Sequence, residues 1–370
     1  MDHTAETSQP QPTDLTESEP GDGVSLVELQ LAARNHGMPL EGLRYPVTPV
    51  GLHYLLIHYD IPTIDPATWR LRVDGSVRRP MSLSLDDLRS RPAVTRAVTF
   101  ECAGNGRAHL RPRPVSQPWL LEAVGTGEWT GTPLRSLLEE AGPLDEAVEI
   151  VFGGLDRGVE GGVEQPYERS LSLAEAQGDD VLLAYELNGM PLPPQHGYPL
   201  RLVVPGWYGM TNVKWLHAIT AVTEPFTGYQ QGSAYRMRST EDDPGTPLSR
   251  MAPRSLMVPP GIPEFPSRTR FLPRAPCHLE GRAWSGWGQI ERVEVSVDGG
   301  ASWVDATLGD QPAPTAWRSW SLEWDPPGSG RYVLGVRCRD DAGNEQPADP
   351  RWNVGGYANN AVQRVPVTVR

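Results

Sequence analysis

The sequence predicts a strand-rich protein of two domains, of which the second is an immunoglobulin-like β-sandwich. A chain of 370 residues is long enough for two domains of ordinary size. Glycine and proline number 38 each and are spread along the whole chain, which favours strands and loops over long helices. From Cys277 onward, short alternating segments are separated by turns without a helical pattern, as is typical of a β-sandwich.

The N-terminal part begins with residues 1–23, which are acidic and nearly devoid of large apolar groups, so we expect a disordered tail. Residues 24–33 are compatible with a short helix or with an extended arm. Alternating residues predict strands at 53–59 and 69–73, and Ser84 to Leu88 has the pattern of a short capped helix.

A run of strand-forming residues then ends in small turn residues, with Cys102 at the bend and Arg107 five residues later. Loops at strand ends often carry functional groups, and a nearby guanidinium stabilises a thiolate. The alternative is a small buried cysteine packed against a turn. These residues alone leave both interpretations open.

The middle of the chain contains further short elements. Residues 132–142 have a capping Thr132, a proline at the first helical position and a closing glycine, which predicts a helix. Residues 149–154 predict a strand that runs into a glycine loop at 155–158, and Asn188-Gly189 predicts a tight turn after a strand at 181–187. Residues 225–275 are rich in Pro, Ser, Thr and Arg and predict a long connection between the domains.

The second domain is predicted to contain strands near residues 293–297, 317–324 and 332–339. Cys277 and Cys338 lie 61 residues apart with tryptophans between them, close to the spacing of an inter-sheet disulfide. Without an export signal, two reduced thiols are the alternative. We place the first domain at residues 24–250 and the second at 251–370.

Composition excludes several functional classes. A net charge of −13 disfavours binding to nucleic acid or to an anionic membrane. No apolar run approaches the length of a membrane span and no export signal precedes the first domain, so we expect a cytoplasmic protein.

Binding motifs for several common cofactors are missing from the sequence. There is no Cys-x-x-Cys for zinc or covalent haem, and no Gly-x-Gly-x-x-Gly for a Rossmann nucleotide site. His109 and His196 could partner a nucleophilic cysteine, but no protease signature surrounds Cys102.

What remains is one candidate thiolate together with cationic and hydrogen-bonding residues on separate loops. Lys214 is the only lysine in the chain, which indicates either a functional need for an ammonium group or chance survival. One soft ligand surrounded by cations suits a metal that is held mainly by a large anionic organic cofactor. The residues of this constellation are Arg34, Asn35, His36, Cys102, Arg107, His196, Arg201 and Lys214.

Ordered motifs along residues 24–370 resemble the sulfite oxidase family of molybdenum-cofactor enzymes. In the first domain they are Arg34-Asn35-His36-x-x-Pro39, Cys102-Ala103-Gly104-Asn105-x-Arg107, Gly154-Leu155-Asp156, the segment Leu182–Pro193, His196-Gly197-x-Pro199-x-Arg201, and Val213-Lys214-Trp215-Leu216. In the second domain they are Ala283-Trp284-Ser285-Gly286, Val297-Asp298-Gly299-Gly300, Ala316-Trp317-Arg318-x-Trp320 and Trp352-Asn353. The resemblance implies an α+β cofactor domain followed by a dimerisation domain.

The resemblance also implies roles for individual residues. Cys102 would ligate molybdenum, and Arg34, Arg107 and Tyr167 would line the substrate pocket, with Trp119 near its wall. The implied reaction is two-electron oxidation of sulfite to sulfate, with the electrons passed to an external acceptor by a homodimeric enzyme. The residues expected to hold the cofactor are Ala32, Ala33, Arg34, Asn35, His36, Cys102, Asp156, His196, Arg201, Asn212, Val213 and Lys214.

The chain departs from the family pattern in the substrate pocket. Gly106 and Gly355 stand where arginines are expected, and Val115 stands where a lysine is expected. No haem-binding module is recognised. A sulfur dehydrogenase, a sulfoxide or nitrate reductase on the same scaffold, and a cofactor-free binding protein therefore remain as alternatives.

Overall fold

The computed structural model describes residues 23–370, so the tail predicted at residues 1–23 lies outside the described residues except for Gly23. The α-helices of this range are short: α1 Leu26–Arg34, α2 Leu85–Arg89, α3 Leu134–Ala141 and α4 Leu173–Ala176. Single 3-10 or π turns lie at Leu40–Arg44, Val50–Leu52, Arg107–His109, Pro194–His196, Gly209–Thr211 and Gln230–Ala234. The first strands are β1 Leu71–Gly75, β2 Met81–Leu83, β3 Val94–Glu101, β4 Val124–Pro133, β5 Glu149–Glu160, β6 Val163–Ser172, β7 Leu182–Leu187, β8 Met190–Pro191, β9 Arg201–Val203 and β10 Leu216–Val222. The later strands are β11 Arg236–Met237, β12 Thr246–Pro247, β13 Arg254–Met257, β14 Ile262–Pro263, β15 Arg270–Leu272, β16 Cys277–Trp284, β17 Ile290–Ser296, β18 Val304–Asp305, β19 Thr307–Leu308, β20 Arg318–Trp324, β21 Gly330–Asp340 and β22 Gln363–Val369.

The first part of the chain builds two sheets with short helices beside them. One sheet has the order β2-β1-β10-β5-β6, in which only the β1–β10 pair is parallel. The other has the order β3-β4-β7-β8, and β9 also pairs with β7. The buried faces of α2 and α3 contribute leucines to the core of the first sheet. Sheets with few short helices agree with the α+β prediction.

The second part is a β-sandwich. Its sheets have the orders β13-β16-β20-β19 and β14-β15-β22-β21-β17-β18, and one hydrophobic core contains residues from both. Leu279 and Trp320 enter this core from the first sheet, and Val295, Leu334 and Val367 enter it from the second. Assignment to the immunoglobulin class and the boundary at residues 250 and 251 stay predictions.

The two cysteines of the sandwich are free thiols, which matches the second of the two alternatives left open by the sequence. Cys338 is buried on β21, and Cys277 is half-buried at the start of β16. They lie on different sheets of the sandwich and make no disulfide.

The N-terminal arm is a helix because its first residues form a capping box. Ser25 Oγ accepts a hydrogen bond from the Glu28 amide, and the Glu28 carboxylate accepts one from the Ser25 amide at 2.8 Å. The same device begins α2 at Ser84 and α4 at Ser172. No helix among residues 23–370 is long and apolar enough to cross a membrane.

Several predicted elements differ from the structure. The helix predicted at 132–142 begins at Leu134, because Thr132 belongs to β4 and Pro133 occupies the cap position without a capping side chain. The strand predicted at 53–59 is reduced to one bridge between Leu55 and His36. The connection predicted at 225–275 contains β11 to β15, whose backbone pairing overrides a loop-like composition.

Candidate active site

A cavity lies at the end of β3, where the predicted cysteine loop begins. Phe100 and Cys102 form part of its wall. Its polar groups come from strands β5, β6 and β9, from the 3-10 turn Pro194–His196, and from the segments at residues 53–58 and 212–214. Its lining residues are His53, Tyr54, Leu55, Leu56, His58, Phe100, Cys102, Ala103, Asp156, Tyr167, His196, Arg201, Gly209, Met210, Asn212, Lys214 and Tyr235.

Cys102 is a buried thiol held in a tight loop. Its amide donates to the Ala123 carbonyl at 2.9 Å, and its carbonyl accepts from the Asn105 amide at 2.9 Å. Burial raises the pKa of the thiol, and the Arg107 guanidinium opposes that effect only in part. The structure therefore does not show the free thiolate that the sequence suggested. Ionisation of this sulfur would accompany binding of a metal cation.

Arg201 places a positive charge in the cavity wall. It enters from β9 and lies beside the stacked rings of Phe100 and Trp129, with its Cζ 5.0 and 4.7 Å from the ring centroids. Its two terminal nitrogens donate to the carbonyls of His196 and Asn212 at 3.0 and 3.1 Å. Burial lowers its pKa to about 10, which leaves the group charged at neutral pH.

Lys214, the only lysine of the chain, also reaches this cavity. Its ammonium donates to the carbonyls of Leu56 and Gln195 at 2.8 and 3.1 Å and lies 4.3 Å from the centroid of the Trp215 ring. Burial and the nearby Arg201 charge lower its pKa, while Asp156 opposes them. The ammonium is thus already oriented by backbone carbonyls.

Asp156 reaches the cavity because the β5–β6 ladder is irregular. The pairing register shifts between Gly153 and Arg157, so the predicted glycine loop is instead a bulge within a longer strand. Burial raises the pKa of Asp156, and the charge of Lys214 opposes that change. The register shift interrupts the regular alternation of side chains along β5, and the Asp156 side chain lies in the cavity wall.

Two imidazoles line the same cavity as these cations. The rings of His53 and His196 meet edge to face, with centroids 5.7 Å apart. Burial lowers the pKa of His53 to about 4 and that of His196 to about 2. Both imidazoles are therefore neutral at physiological pH.

Tyrosine side chains form the wall nearest Arg107. Tyr167 donates its hydroxyl proton to the Met210 carbonyl at 2.8 Å, and burial raises the pKa of Tyr167 and of Tyr235. Arg107 donates to the Gly355 carbonyl at 2.9 Å, and its Cζ lies 5.1 Å from the centroid of the Tyr357 ring. Its Nη2 has no hydrogen-bond partner among residues 23–370, so one end of the guanidinium is available.

The structure brings together only part of the predicted site. Cys102, Asp156, Tyr167, His196, Arg201, Asn212 and Lys214 line the cavity, whereas Arg107 and Val213 lie behind its wall. Ala32, Ala33 and Arg34 are exposed on α1 and do not line it. Asn35 and His36 support the wall from outside, because Asn35 Oδ1 accepts from the Ile57 amide at 2.6 Å and His36 pairs with Leu55.

Sequence reasoning missed the segment from His53 to His58. The cavity contains His53, Tyr54, Leu55, Leu56 and His58 in the place expected for residues 32–36. The available signal was a pair of His-Tyr dipeptides, His53-Tyr54 and His58-Tyr59, inside a segment interpreted only as a strand. Tyr235 was also missed, because it lies in the stretch interpreted as a connection.

The cavity fits the cofactor that the sequence implied. His53 Nε2, Asp156 Oδ1 and Arg201 Nε are buried polar atoms without a partner among the described residues, and all three residues line the cavity. A ligand with donors, acceptors and negative charge would satisfy them. No group of three or more His, Cys, Asp or Glu residues in the described range could hold a metal ion. A metal here would therefore take most of its ligands from a non-protein group and one from Cys102.

Two family models match successive parts of the chain. Residues 58–230 match the family model described as the oxidoreductase molybdopterin binding domain, and residues 264–370 match the Mo-co oxidoreductase dimerisation domain. Sulfite oxidase of Gallus gallus is 37% identical over 336 residues, which cover 86% of this chain and 72% of that protein. Mitochondrial sulfite oxidase of Mus musculus is 36% identical over 87% of this chain, which spans 62% of the mouse protein.

Two further relatives broaden the range of activities. Nitrate reductase [NADH] of Hordeum vulgare is 32% identical over 87% of this chain and 38% of its own length. The crystal structure of the sulfane dehydrogenase SoxCD from Paracoccus pantotrophus superposes with a TM-score of 0.78 at 27% identity, covering 96% of this chain and 94% of that one.

Proposed function

The chain belongs to the sulfite oxidase family of molybdenum-cofactor oxidoreductases, and on that premise we propose that it oxidises sulfite to sulfate and passes the electrons to an external acceptor. The observation that carries the proposal is one buried thiol, Cys102, beside unpartnered polar atoms and cationic groups in a single cavity. When bound, the cofactor would supply a molybdenum centre that takes two electrons from the substrate.

We assign Cys102 as the protein ligand to the metal. Asp156, His196, Arg201 and Lys214 would hold the pterin and its phosphate, since two of them are cations, all four line the cavity, and Asp156 Oδ1 and Arg201 Nε have no hydrogen-bond partner among the described residues. Asn212 acts through its backbone, because its side-chain oxygen already accepts from the Val204 amide at 2.6 Å and its carbonyl orients Arg201. Val213 lies between Asn212 and Lys214 in the chain and is buried.

We assign the contacts expected from residues 32–36 mainly to Tyr54–His58. Ala32, Ala33 and Arg34 are exposed and turned away from the cavity, whereas Leu55 and Leu56 line it. Asn35 and His36 would act by fixing the backbone of that segment. Arg34 therefore has no contact that supports a role in the substrate pocket.

The substrate would lie between Cys102 and the tyrosine wall. Arg107 lies behind the cavity wall, so it would attract an oxyanion group of the substrate as a nearby positive charge, with its Nη2 not engaged by a hydrogen bond among the described residues. Tyr167 would remain protonated throughout, because burial raises its pKa, and its hydroxyl is fixed by the Met210 carbonyl. These groups orient the substrate and exclude bulk water.

A specific observation favours a second candidate, a sulfane dehydrogenase. The space beside Arg107 is filled by Tyr357, because a Cβ on Gly355 would lie 2.2 Å from that ring. The position expected to supply an arginine thus offers only a backbone carbonyl. A pocket with fewer cations suits a substrate with less negative charge, and the superposed SoxCD structure is that of a sulfane dehydrogenase.

We further propose that the enzyme is a homodimer, because residues 264–370 match a family model described as a dimerisation domain. Light scattering coupled to size exclusion should give twice the mass of the 40.6 kDa chain. A monomeric mass at micromolar concentration would contradict this part of the proposal.

Steady-state assays test the choice of reaction. Molybdenum-loaded protein should produce sulfate from sulfite with a one-electron acceptor such as ferricyanide, and should not reduce nitrate or a sulfoxide with a reduced dye. Oxidation of a persulfide with no oxidation of sulfite would favour the second candidate. Reduction of nitrate or sulfoxide alone would show that both are wrong.

A further inference from the structure

Arg169 is a buried cation with no carboxylate partner. It is 1% exposed, and no ion pair joins it to an acid among residues 23–370. Its terminal nitrogens donate to the carbonyls of Gln230 and Leu248 at 2.5 and 3.4 Å, while its Nε is buried without a partner. A guanidinium stays protonated in proteins, so this position carries a full positive charge that no carboxylate neutralises.

The other buried arginines of the described residues differ in whether a carboxylate neutralises them. Arg254 pairs with Glu101 at 2.6 Å, and Arg270 pairs with Glu41 at the same distance. Arg201 lacks a carboxylate as Arg169 does, and Arg201 lines the cavity that fits an anionic cofactor. Arg282 also lacks a carboxylate partner among the described residues and lies outside the cavity, so a missing partner does not by itself indicate an anion site. Because a buried unpaired charge is unfavourable by several kcal/mol, an anion bound in the cavity next to Arg169 would stabilise it.

Arg169 lies next to the side of the cavity where we propose that the substrate binds. It is two residues from Tyr167 on β6, so both side chains leave the same face of the strand. Its Cζ lies 5.9 Å from the centroid of the Tyr235 ring, and Tyr167 and Tyr235 both line the cavity. The charge of Arg169 therefore lies next to two tyrosines of the cavity wall, in the same cavity that Cys102 lines.

We propose that Arg169 is a specificity-determining residue that supplies a second positive charge for an anionic sulfur substrate through the Tyr167–Tyr235 wall. It acts without contact, as a fixed charge in a site of low dielectric, where electrostatic attraction is poorly screened. Its charge thereby compensates in part for the two positive charges that are missing because Gly106 and Gly355 stand where arginines are expected. The inference rests on the proposed function, because it concerns the anion that the same site binds.

Sulfate binding tests the inference without turnover. The dissociation constant of sulfate should be measured by calorimetry at pH 6 on oxidised, molybdenum-loaded protein, for the wild type, Arg169→Met and Arg169→Lys. We expect Arg169→Met to weaken binding about ten-fold or more, and Arg169→Lys to stay within about three-fold of the wild type. A ten-fold loss corresponds to about 1.4 kcal/mol. In sulfite turnover, KM should rise by a similar factor with a smaller change in kcat.

Arg282→Met is the matched control. Arg282 is also buried and also donates to backbone carbonyls, those of Leu43 and Arg44 at 2.8 and 3.0 Å, but it lies on β16 outside the cavity. This variant should bind sulfate as the wild type does. A purely structural role for Arg169 predicts equal losses for the Met and Lys variants.

The outcomes separate the two proposals. Equal sulfate affinity in wild type and Arg169→Met, equal loss in both Arg169 variants, or no sulfate binding by the wild type would overturn the role of Arg169, whatever the turnover. Sulfate binding that depends on the charge at position 169, in an enzyme that does not oxidise sulfite, would support Arg169 and refute the sulfite reaction.

Discussion

At the scale of single residues, Cys102 shows what an isolated sequence can reveal and where it stops. The strand, the bend and the single thiol were predicted from local pattern, and the structure confirms that the cysteine lies at the end of β3. The charge state of the thiol was not predictable, because it depends on burial by chain segments distant in sequence. The family resemblance, and not the loop alone, identified the metal.

Replacing Cys102 by Ser should abolish turnover and leave the fold intact. Serine is of similar size but is a harder and less acidic ligand, so we expect a loss of at least about a hundred-fold in kcat. Cys277→Ser is the control, since that thiol is half-buried on the sandwich and should retain full activity. Persistent turnover in Cys102→Ser, measured on protein with a normal melting temperature, would contradict the ligand assignment.

His53 predicts a pH dependence for the cofactor-free protein. Burial lowers its pKa from 6.5 to about 4, so the unfolded chain takes up this proton first as the pH falls. The contribution of His53 to the free energy of unfolding should therefore be fully present above about pH 6.5. It should be lost between pH 6.5 and 4, by on the order of 3 kcal/mol. Denaturant unfolding at several pH values should show a shallower decline in His53→Phe. His278→Gln, at an exposed position, should keep the wild-type dependence of stability on pH. If stability declines as much in His53→Phe as in the wild type, His53 is not the cause of the decline.

At the scale of elements, local turn chemistry was predictable and irregular pairing was not. Asn188 and Gly189 have positive φ values of 52° and 74°, as the predicted tight turn between β7 and β8 requires. The bulge at Asp156 was not predictable, because it depends on how β5 meets β6 and β10, which are separate in the chain. Likewise, β13 lies in a segment whose composition indicated a loop.

The β5 bulge should tolerate no side chain at Gly154. A Cβ there would lie 2.7 Å from Asp156 Oδ1 and 2.8 Å from the Lys214 carbonyl oxygen, so two cofactor-facing residues would have to move. We expect Gly154→Ala to reduce molybdenum content to half or less, measured by mass spectrometry of the purified protein. Gly153→Ala is a matched control, because its Cβ would meet no atom closer than 3.6 Å. Equal molybdenum content in the two variants would contradict the role of the bulge.

At the scale of the whole molecule, the second part of the chain holds the cysteine loop from behind. Glu101 accepts from Arg254 at 2.6 Å and from the Trp284 indole at 2.9 Å, and all three side chains are buried. The Ala358 amide donates to the Ala103 carbonyl at 2.7 Å. The sequence could predict two domains but not this contact, because it joins residues more than 150 positions apart.

Breaking the buried pair should destabilise the molecule strongly. Arg254→Met leaves Glu101 buried without its cation and should lower the free energy of unfolding by about 3–5 kcal/mol. Arg135→Met removes an exposed arginine that pairs with Asp179 and should cost less than about 1 kcal/mol. Denaturant titration checks both values. A loss for Arg254→Met no larger than that for Arg135→Met would show that the contact does not stabilise the assembly.

The most direct test of sulfur oxidation at a Cys102-ligated molybdenum centre is an anaerobic titration with sulfite, followed by absorbance. Protein that contains one molybdenum per chain should change its spectrum and reach an end point near one sulfite per molybdenum, with one sulfate formed. Fully loaded protein whose spectrum does not change in excess sulfite would contradict the proposed reaction.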